Sequence, residues 1–254
     1  MRYFIQFSYD GTQYCGYQRQ PKQPSVQETL ENALSLMLRE EIKTIGAGRT
    51  DTGVHASEMF AHFDMEEEIP EGFIRKLNSF LPPDISVQDI FPVSPSAHAR
   101  FDAVKRTYKY FISTRKNPFK QKYHAQFLHY DFRVDRMNEA AKILFEYTDF
   151  TSFSKLHADN KTNDCTIFFA EWESGKDELV FTISANRFLR NMVRAIAGTL
   201  IDVGRGKLSV ESFREIIEKK DRKFASTSAP AQGLTLIKVE YPEGLYKSIG
   251  NPIL

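Results

Sequence analysis

The residues best suited to chemistry lie in one glycine-rich stretch, positions 46–56, which reads Gly-Ala-Gly-Arg-Thr-Asp-Thr-Gly-Val-His-Ala. Arg49 and Asp51 stand two positions apart within it. Glycines let a backbone turn tightly and approach a ligand closely, and loops carried on a rigid strand often hold reactive groups. Asp51 could be a reactive carboxylate beside a charge partner. The same residues also fit a surface turn closed by a local ion pair, and both interpretations are open at this point.

The glycine spacing excludes two common phosphate-binding loops. Asp51 stands where the dinucleotide-binding fingerprint requires a third glycine. Gly53 is followed by Val-His, whereas the P-loop requires Lys and then Ser or Thr. The stretch is therefore a phosphate cradle of neither kind.

Two short strands are predicted to position this loop. Residues 41–45 alternate in polarity before it and residues 58–64 alternate weakly after it, so we expect the loop to join two paired strands. His55, Glu58 and His62 could be imagined as metal ligands. Because period-2 geometry sends the two histidines to opposite faces of a strand, we predict no metal site.

Predicted strands and helices alternate through the rest of the first hundred residues. Strands are expected at residues 2–9 and 85–90, and a helix at residues 71–80. An earlier helix should begin at Ser25, which forms a capping box with Glu28. No long even repeats of a barrel or solenoid are present, so we predict an α+β fold.

The loop after the first predicted strand carries two tyrosines beside a cation. Tyr14 and Tyr17 precede Arg19 there. We interpret the rings as packed in a surface loop, with base stacking as the alternative.

Charge is unevenly distributed along the 254 residues, although the net charge is only +1. Residues 1–100 contain 9 Lys or Arg and 14 Asp or Glu, whereas residues 101–254 contain 25 and 19. This asymmetry favours a polyanionic ligand for the second part. The cysteines, Cys15 and Cys165, lack metal-like spacing, and no stretch reads as a signal peptide or membrane span. We therefore expect a cytoplasmic protein without disulfides or membrane attachment.

The most basic segment, residues 100–122, has eight Lys or Arg against one acid, interleaved with aromatic residues. In its predicted strand, alternation puts Arg106, Tyr108 and Tyr110 on one face. Cations for phosphates and a flat ring for a base suit RNA binding, so Arg106 and Lys109 are candidate RNA contacts. For Tyr110 we expect a place in the core.

The remaining elements of the second part also mix strands and helices. They are a helix at residues 135–146, a polar loop at 154–164, a hairpin of strands at 166–173 and 179–185, a helix at 209–220 and a last strand at 231–241.

A further helix is predicted over residues 186–203, with an apolar stripe on one side. Arg187, Arg190 and Arg194 fall about 120° around the axis from that stripe. Arginines with only a structural role usually have acidic residues one helical turn away to pair with, and no acid occurs in this stretch before Asp202. We therefore interpret the three arginines as a ligand-facing row.

The glycine-rich stretch resembles the signature of the tRNA pseudouridine synthase A (TruA) family, Gly-Arg-Thr-Asp-x-Gly-Val-His-Ala. The resemblance extends over nearly the whole chain in separated strings: Tyr-x-Tyr at 108–110, Asp-Phe-Thr-Ser-Phe at 149–153, Met-Val-Arg-x-Ile-x-Gly at 192–198, and the final strand. Two positions depart from the family pattern. Tyr17 stands where the family usually has tryptophan, and Asp164-Cys165 stands where many members have an arginine.

The resemblance implies isomerisation of uridine to pseudouridine at positions 38, 39 and 40 of the tRNA anticodon arm, without cofactor or metal. It implies Asp51 as the catalytic aspartate, Arg194 as its charge partner, and Tyr108 and Leu234 as walls against the uracil. A paired target base must be flipped out of its stem, and Arg49 is our candidate to fill the gap. Whether Asp51 attacks C1′, attacks the base or abstracts a proton stays open.

The family fold implied is α+β, with two similar sheet-and-helix halves, a central basic active-site cleft and a homodimeric assembly. We expect an N-terminal half, residues 1–100, with the catalytic loop and a C-terminal half, residues 101–254, with the basic strand and the arginine-rich helix. Two other functions are open. A non-catalytic tRNA-binding module would be indifferent to Asp51, and a small-molecule enzyme such as a nucleoside hydrolase would not need the basic segment.

Overall fold

The computed structural model of the protein describes residues 1–155 and 161–245. The chain folds into two compact units, one of Met1–Val104 with the stretch from Lys238 onward, and one of Lys105–Ile237. The chain returns to the first unit near its C-terminus.

The first unit is built on four strands: β1 (Arg2–Tyr9), β2 (Ile45–Gly46), β3 (His55–Asp64) and β4 (Ile85–Val93). β1 lies between β4 and β3 and is antiparallel to both. Phe4, Ile5 and Phe7 of β1 are fully buried, which explains why this aromatic run forms a strand. β2 pairs antiparallel with β3, so the glycine-rich loop does join two paired strands, although β2 is shorter than predicted.

Two helices complete the described part of the first unit, α1 (Val26–Leu38) and α2 (Phe73–Phe80). The Oγ atom of Ser25 accepts from the backbone N–H of Glu28 at 3.2 Å and caps α1. The Glu28 carboxylate pairs with Arg19 at 3.1 Å, so half of the predicted capping box is confirmed.

The second unit contains four further strands: β5 (Lys105–Ser113), β6 (Ala125–Gln126), β7 (Ile167–Ser174) and β8 (Glu178–Ala185). β8 pairs antiparallel with both β5 and β7, and β6 lies parallel to the end of β5. The predicted hairpin is thus confirmed. Tyr108 and Tyr110 share a face of β5, opposite Ile183 and Phe181 of β8.

The helices of the second unit are α3 (Val134–Ile143), α4 (Met192–Gly204) and α5 (Val210–Glu218). The last strand, β9 (Leu234–Glu240), begins in the second unit and ends in the first. There the Glu240 carbonyl accepts from the Val104 N–H at 2.8 Å, and the Tyr241 hydroxyl donates to the Ala99 carbonyl at 2.6 Å. These two bonds fix the end of the chain's last strand in the first unit.

The helix predicted over residues 186–203 is wrong in its first six residues, because α4 begins only at Met192. Asn186 continues the edge of the sheet: its N–H donates to the Thr166 carbonyl at 3.1 Å, and its side chain accepts from the Thr166 and Arg187 N–H groups at 2.8 Å each. Such side-chain bonds compete with helix formation. Arg187 and Arg190 therefore do not share a helix with Arg194.

One edge strand in each unit, β4 and β7, is covered in the same way. The Asn78 side chain of α2 exchanges two hydrogen bonds, both 2.7 Å, with the backbone of Val87 in β4. The Asn138 side chain of α3 does so with Trp172 in β7, at 2.9 and 2.7 Å. Pairing of an edge backbone with a helix side chain blocks edge-to-edge association. The predicted α+β class is confirmed, and no helix among the described residues is long and apolar enough to cross a membrane.

Candidate active site

The glycine-rich loop follows β2 and turns back into β3. The Val54 N–H donates to the Asp51 carbonyl at 3.1 Å, which closes a turn around Thr52 and Gly53. Gly53 has φ +75°, a conformation that a side chain would strain. The turn therefore places Asp51 at its first position, where the side chain is half-buried.

The residues on both sides of Asp51 are anchored in the first unit. The Thr50 Oγ1 atom lies 2.8 Å from the Tyr9 hydroxyl, in the core, and the Thr50 carbonyl accepts from the Tyr17 N–H at 3.3 Å. The Gly53 N–H donates to the Tyr14 carbonyl at 3.3 Å. An acid held between two anchored neighbours is pre-oriented, unlike the acid of a free surface turn. Arg49, one step before Thr50, is exposed.

The tyrosine rings of the neighbouring loop are packed, as we predicted. Tyr14 and Tyr17 are 7% and 2% exposed. The Tyr14 hydroxyl donates to the Asp84 carboxylate at 2.7 Å, and the Tyr17 ring stacks on Phe7 with centroids 6.2 Å apart. Because these faces are covered by protein, we exclude Tyr14 and Tyr17 as base-stacking platforms in this structure.

On β5 of the second unit, the predicted face of Arg106, Tyr108 and Tyr110 is present. The Tyr108 ring is 9% exposed and meets Phe188 edge to face, with centroids 5.3 Å apart. The Arg106 guanidinium donates to the Asn186 carbonyl at 2.7 Å. Tyr110 is fully buried and its hydroxyl donates to the Pro230 carbonyl at 3.0 Å, which confirms the core position expected for it.

Arg194, near the start of α4, is tied to the chain segment of residues 225–230. Its Nε–H donates to the Ala229 carbonyl at 2.8 Å, and its own carbonyl accepts from the Ala229 N–H at 2.9 Å. The Ser226 N–H donates to the Thr199 side chain at 3.2 Å. The segment can come this close because α4 has no side chain at Gly198, where a Cβ atom would lie 3.0 Å from the Ala229 nitrogen. Gly198 thus allows the packing that orients Arg194.

An open cavity of about 540 Å³ adjoins Arg194 in the second unit. Its lining combines three cations with small residues: Arg194, Arg222, Lys223, Ala225, Ser226, Thr227 and Ser228. Burial lowers the pKa of Arg222 below its ordinary value. Sequence reasoning missed Arg222 and Lys223, which lie between a predicted helix and a predicted strand. Their position just before a run of small residues is the signal that could have singled them out.

The other predicted site residues also lie in the second unit. Leu234, the first residue of β9, is 5% exposed. Arg187 and Lys109 are half-exposed, and Arg190 is exposed. The Arg190 carbonyl accepts a hydrogen bond from the Lys155 N–H at 3.1 Å. Of the predicted set, only Arg49 and Asp51 belong to the first unit.

The histidines of β3 have structural roles. The His55 Nδ1 atom accepts from the Gly11 N–H and the His62 Nδ1 atom from the Ala99 N–H, both at 3.1 Å. Burial, and then the neighbouring His98, lower the pKa of His62 to about 4. Among residues 1–155 and 161–245 no three His, Cys, Asp or Glu side chains form a group suited to a metal ion.

Known proteins and a family model match this chain over most of its length. The family model described as tRNA pseudouridine synthase matches residues 5–102 and 140–242. The tRNA pseudouridine synthase A of Bacteroides thetaiotaomicron is 58% identical over 249 residues, which are 96% of this chain and 92% of that protein. The protein of that name from Bacteroides fragilis is 56% identical over 250 residues, 97% and 98% of the two chains. That of Bacillus subtilis is 42% identical over 246 residues, 95% and 99% of the two chains.

The matched ranges contain both the anchored loop with Asp51 and the start of α4 with Arg194. The α+β architecture and the glycine-rich signature agree with the same family. The chain therefore belongs to the tRNA pseudouridine synthase family.

Proposed function

We propose that this protein isomerises uridine to pseudouridine at positions 38, 39 and 40 of the tRNA anticodon arm, with Asp51 as the catalytic carboxylate. The observation that carries the proposal is the setting of Asp51. It is half-buried at the first position of a closed turn, between Thr50, whose hydroxyl lies 2.8 Å from that of Tyr9, and Gly53. Membership of the family supports the reaction itself.

The reaction breaks the N1–C1′ bond of uridine and rejoins the uracil through C5, so atoms and oxidation state are conserved. It requires one carboxylate at the sugar or base and a pocket with little water. Arg194 is proposed as the charge partner of Asp51, and this pairing rests on the resemblance. The Nε bond of Arg194 to Ala229 supports a fixed orientation of its guanidinium.

The apolar contacts of the uracil are assigned to Tyr108 and Leu234. The edge-to-face contact with Phe188 holds the Tyr108 ring in one orientation, as a wall against a flat base requires. Leu234 is buried at the start of β9 and supplies apolar surface. Arg49 is exposed, which suits a side chain that would fill the gap left by a flipped base.

Sequence-independent contacts to the RNA are assigned to four cations of the second unit. They are Arg106, Lys109, Arg187 and Arg190. Because phosphate contacts release counterions, binding should weaken as salt rises. We also propose a homodimer in the cytoplasm, which light scattering of the purified protein and localisation of a tagged copy would test.

The test uses three anticodon stem-loop RNAs, each with one uridine at position 38, 39 or 40, and a fourth with cytidine at all three. We expect pseudouridine in the first three and none in the fourth. Binding without any product would instead support a tRNA-binding module. Release of free uracil, with activity insensitive to salt, would support a small-molecule hydrolase.

A further inference from the structure

The open cavity beside Arg194 has the composition of an anion site. Its seven lining residues include Arg194, Arg222 and Lys223, and none of them is acidic. The remaining four are small, so the backbone and short hydroxyl side chains are accessible to a ligand. A concave surface lined by one sign of charge concentrates ligands of the opposite sign.

Arg222 has donors to offer there. Its Nη1 group donates to the Ala225 carbonyl and its Nη2 group to the Ser228 hydroxyl oxygen, both at 3.0 Å. A guanidinium has five N–H donors, so three are left. In the part of the chain that the structure describes, no carboxylate lies within 4.0 Å of Arg222. A partly buried cation without a carboxylate gains more from an anionic ligand than a solvated one does.

Ser228 adds a further donor beside this guanidinium. Its Oγ atom accepts from Arg222 and also from the Asn191 side-chain amide at 2.7 Å. With both lone pairs engaged, the Ser228 hydroxyl hydrogen is left to donate. Thr227, the preceding residue in the cavity lining, is exposed.

We propose that this cavity binds a backbone phosphate of the RNA substrate, with Arg222 as its principal ligand and Ser228 as a second donor. The inference rests on the proposed function, which supplies the RNA. A guanidinium matches the two non-bridging oxygens of a phosphodiester, and the open mouth of the cavity admits a polymer. Arg194, the proposed partner of the catalytic Asp51, lines the same cavity. The phosphate bound there is therefore one close to the target uridine.

The test compares Arg222→Gln with Arg136→Gln. The control removes a cation that pairs with Glu139 on α3, outside the cavity. Binding of an anticodon stem-loop RNA is measured from low to high salt. Loss of one phosphate contact should lower the magnitude of the salt slope by about 0.7 to 0.9 in Arg222→Gln and weaken binding about tenfold. We expect the loss in the affinity and its salt dependence, and the rate at saturating RNA is measured beside them because a loss confined to that rate would indicate an effect on Arg194 instead.

A second measurement locates the phosphate. Stem-loops carrying one uncharged methylphosphonate linkage, at each position near the target uridine in turn, are bound to wild type and to Arg222→Gln. At one linkage, the methylphosphonate should weaken RNA binding by wild type about tenfold and leave binding by Arg222→Gln unchanged. The neutral linkage and the substitution remove the same contact, so their effects should not add.

Equal sensitivity of both proteins at every linkage would overturn the proposal. So would a loss confined to the maximal rate, which would make Arg222 a positioning residue for Arg194. If Arg222→Gln fails to fold, Arg222→Lys takes its place in the same comparison. A lysine cannot make the bidentate contact, so neutralisation of that one linkage should weaken RNA binding by Arg222→Lys less than it weakens binding by wild type. If no protein forms pseudouridine yet the cycle gives the expected result, the phosphate site stands and the isomerase proposal fails.

Discussion

The packing of residues 225–230 on α4 predicts a specific cost for the substitution Gly198→Ala. The added methyl group would lie 3.0 Å from the Ala229 nitrogen and 3.2 Å from the Thr227 carbonyl carbon, and closer still to the Thr227 oxygen. The contacts are with backbone, which cannot rotate away. The segment would have to retreat from the helix by about 1 Å.

The retreat would break three hydrogen bonds. They are the two between Arg194 and Ala229, at 2.8 and 2.9 Å, and the bond from the Ser226 N–H to Thr199, at 3.2 Å. At about 1 kcal/mol each, their loss lowers the free energy of unfolding by about 3 kcal/mol. Alanine favours a helix by about 1 kcal/mol over glycine, so the net loss is about 2 kcal/mol. For a chain of this size we expect the Tm to fall by about 5 °C.

Thermal and urea unfolding followed by circular dichroism measure this loss. Gly48→Ala is the matched control, since a methyl group there meets no atom within 4 Å, and we expect its stability to be unchanged or slightly raised. Release of Arg194 should also slow pseudouridine formation by Gly198→Ala about tenfold or more. Wild-type stability and rate in this variant would refute the claim that close packing of the segment on α4 orients Arg194.

Two more predictions concern the first unit. Thr50→Val removes the hydroxyl that lies 2.8 Å from the buried Tyr9 hydroxyl, and it should lower the free energy of unfolding by about 0.5 to 1.5 kcal/mol and reduce the rate, whereas wild-type values would show that this bond does not anchor the loop. The second prediction is a pH dependence. Because the pKa of His62 is lowered to about 4 in the fold, the free energy of unfolding has its full value above pH 6.5, and about 3 kcal/mol of it is lost as the pH falls from 6.5 to 4. Urea unfolding at several pH values should show this fall in wild type and a flatter profile in His62→Asn, and identical profiles would contradict the assignment to His62.

Local patterns sufficed for much of the fold. The aromatic run of β1, the cap at Ser25 and the hairpin of β7 and β8 are each decided by residues close in sequence, so periodicity and capping predicted them. The start of α4 was not decided locally. Asn186 is held by Thr166, twenty residues away, and a helical pattern in the sequence cannot reveal that competing contact.

The site shows the same distinction. The sequence singles out the Asp51 loop through its glycines and charges, and its anchoring by Tyr9 and Tyr14 agrees with that interpretation. Arg222 carries no motif of its own. Its candidacy arises from the fold, which brings it to one cavity wall with Arg194, from a different part of the chain. The sequence shows that Arg222 precedes a run of small residues, but it cannot show that the fold brings this arginine beside Arg194.

The most direct test of the central claim is single-turnover pseudouridine formation by Asp51→Asn on an anticodon stem-loop RNA. Asp64→Asn is the control, because Asp64 pairs with Arg2 at the end of β3 and has no proposed role in the reaction. We expect Asp51→Asn to bind the RNA as wild type does and to form product more than about 1,000-fold more slowly, while Asp64→Asn keeps the wild-type rate. Product formation by Asp51→Asn at a rate near that of wild type would contradict the assignment of Asp51 as the catalytic carboxylate.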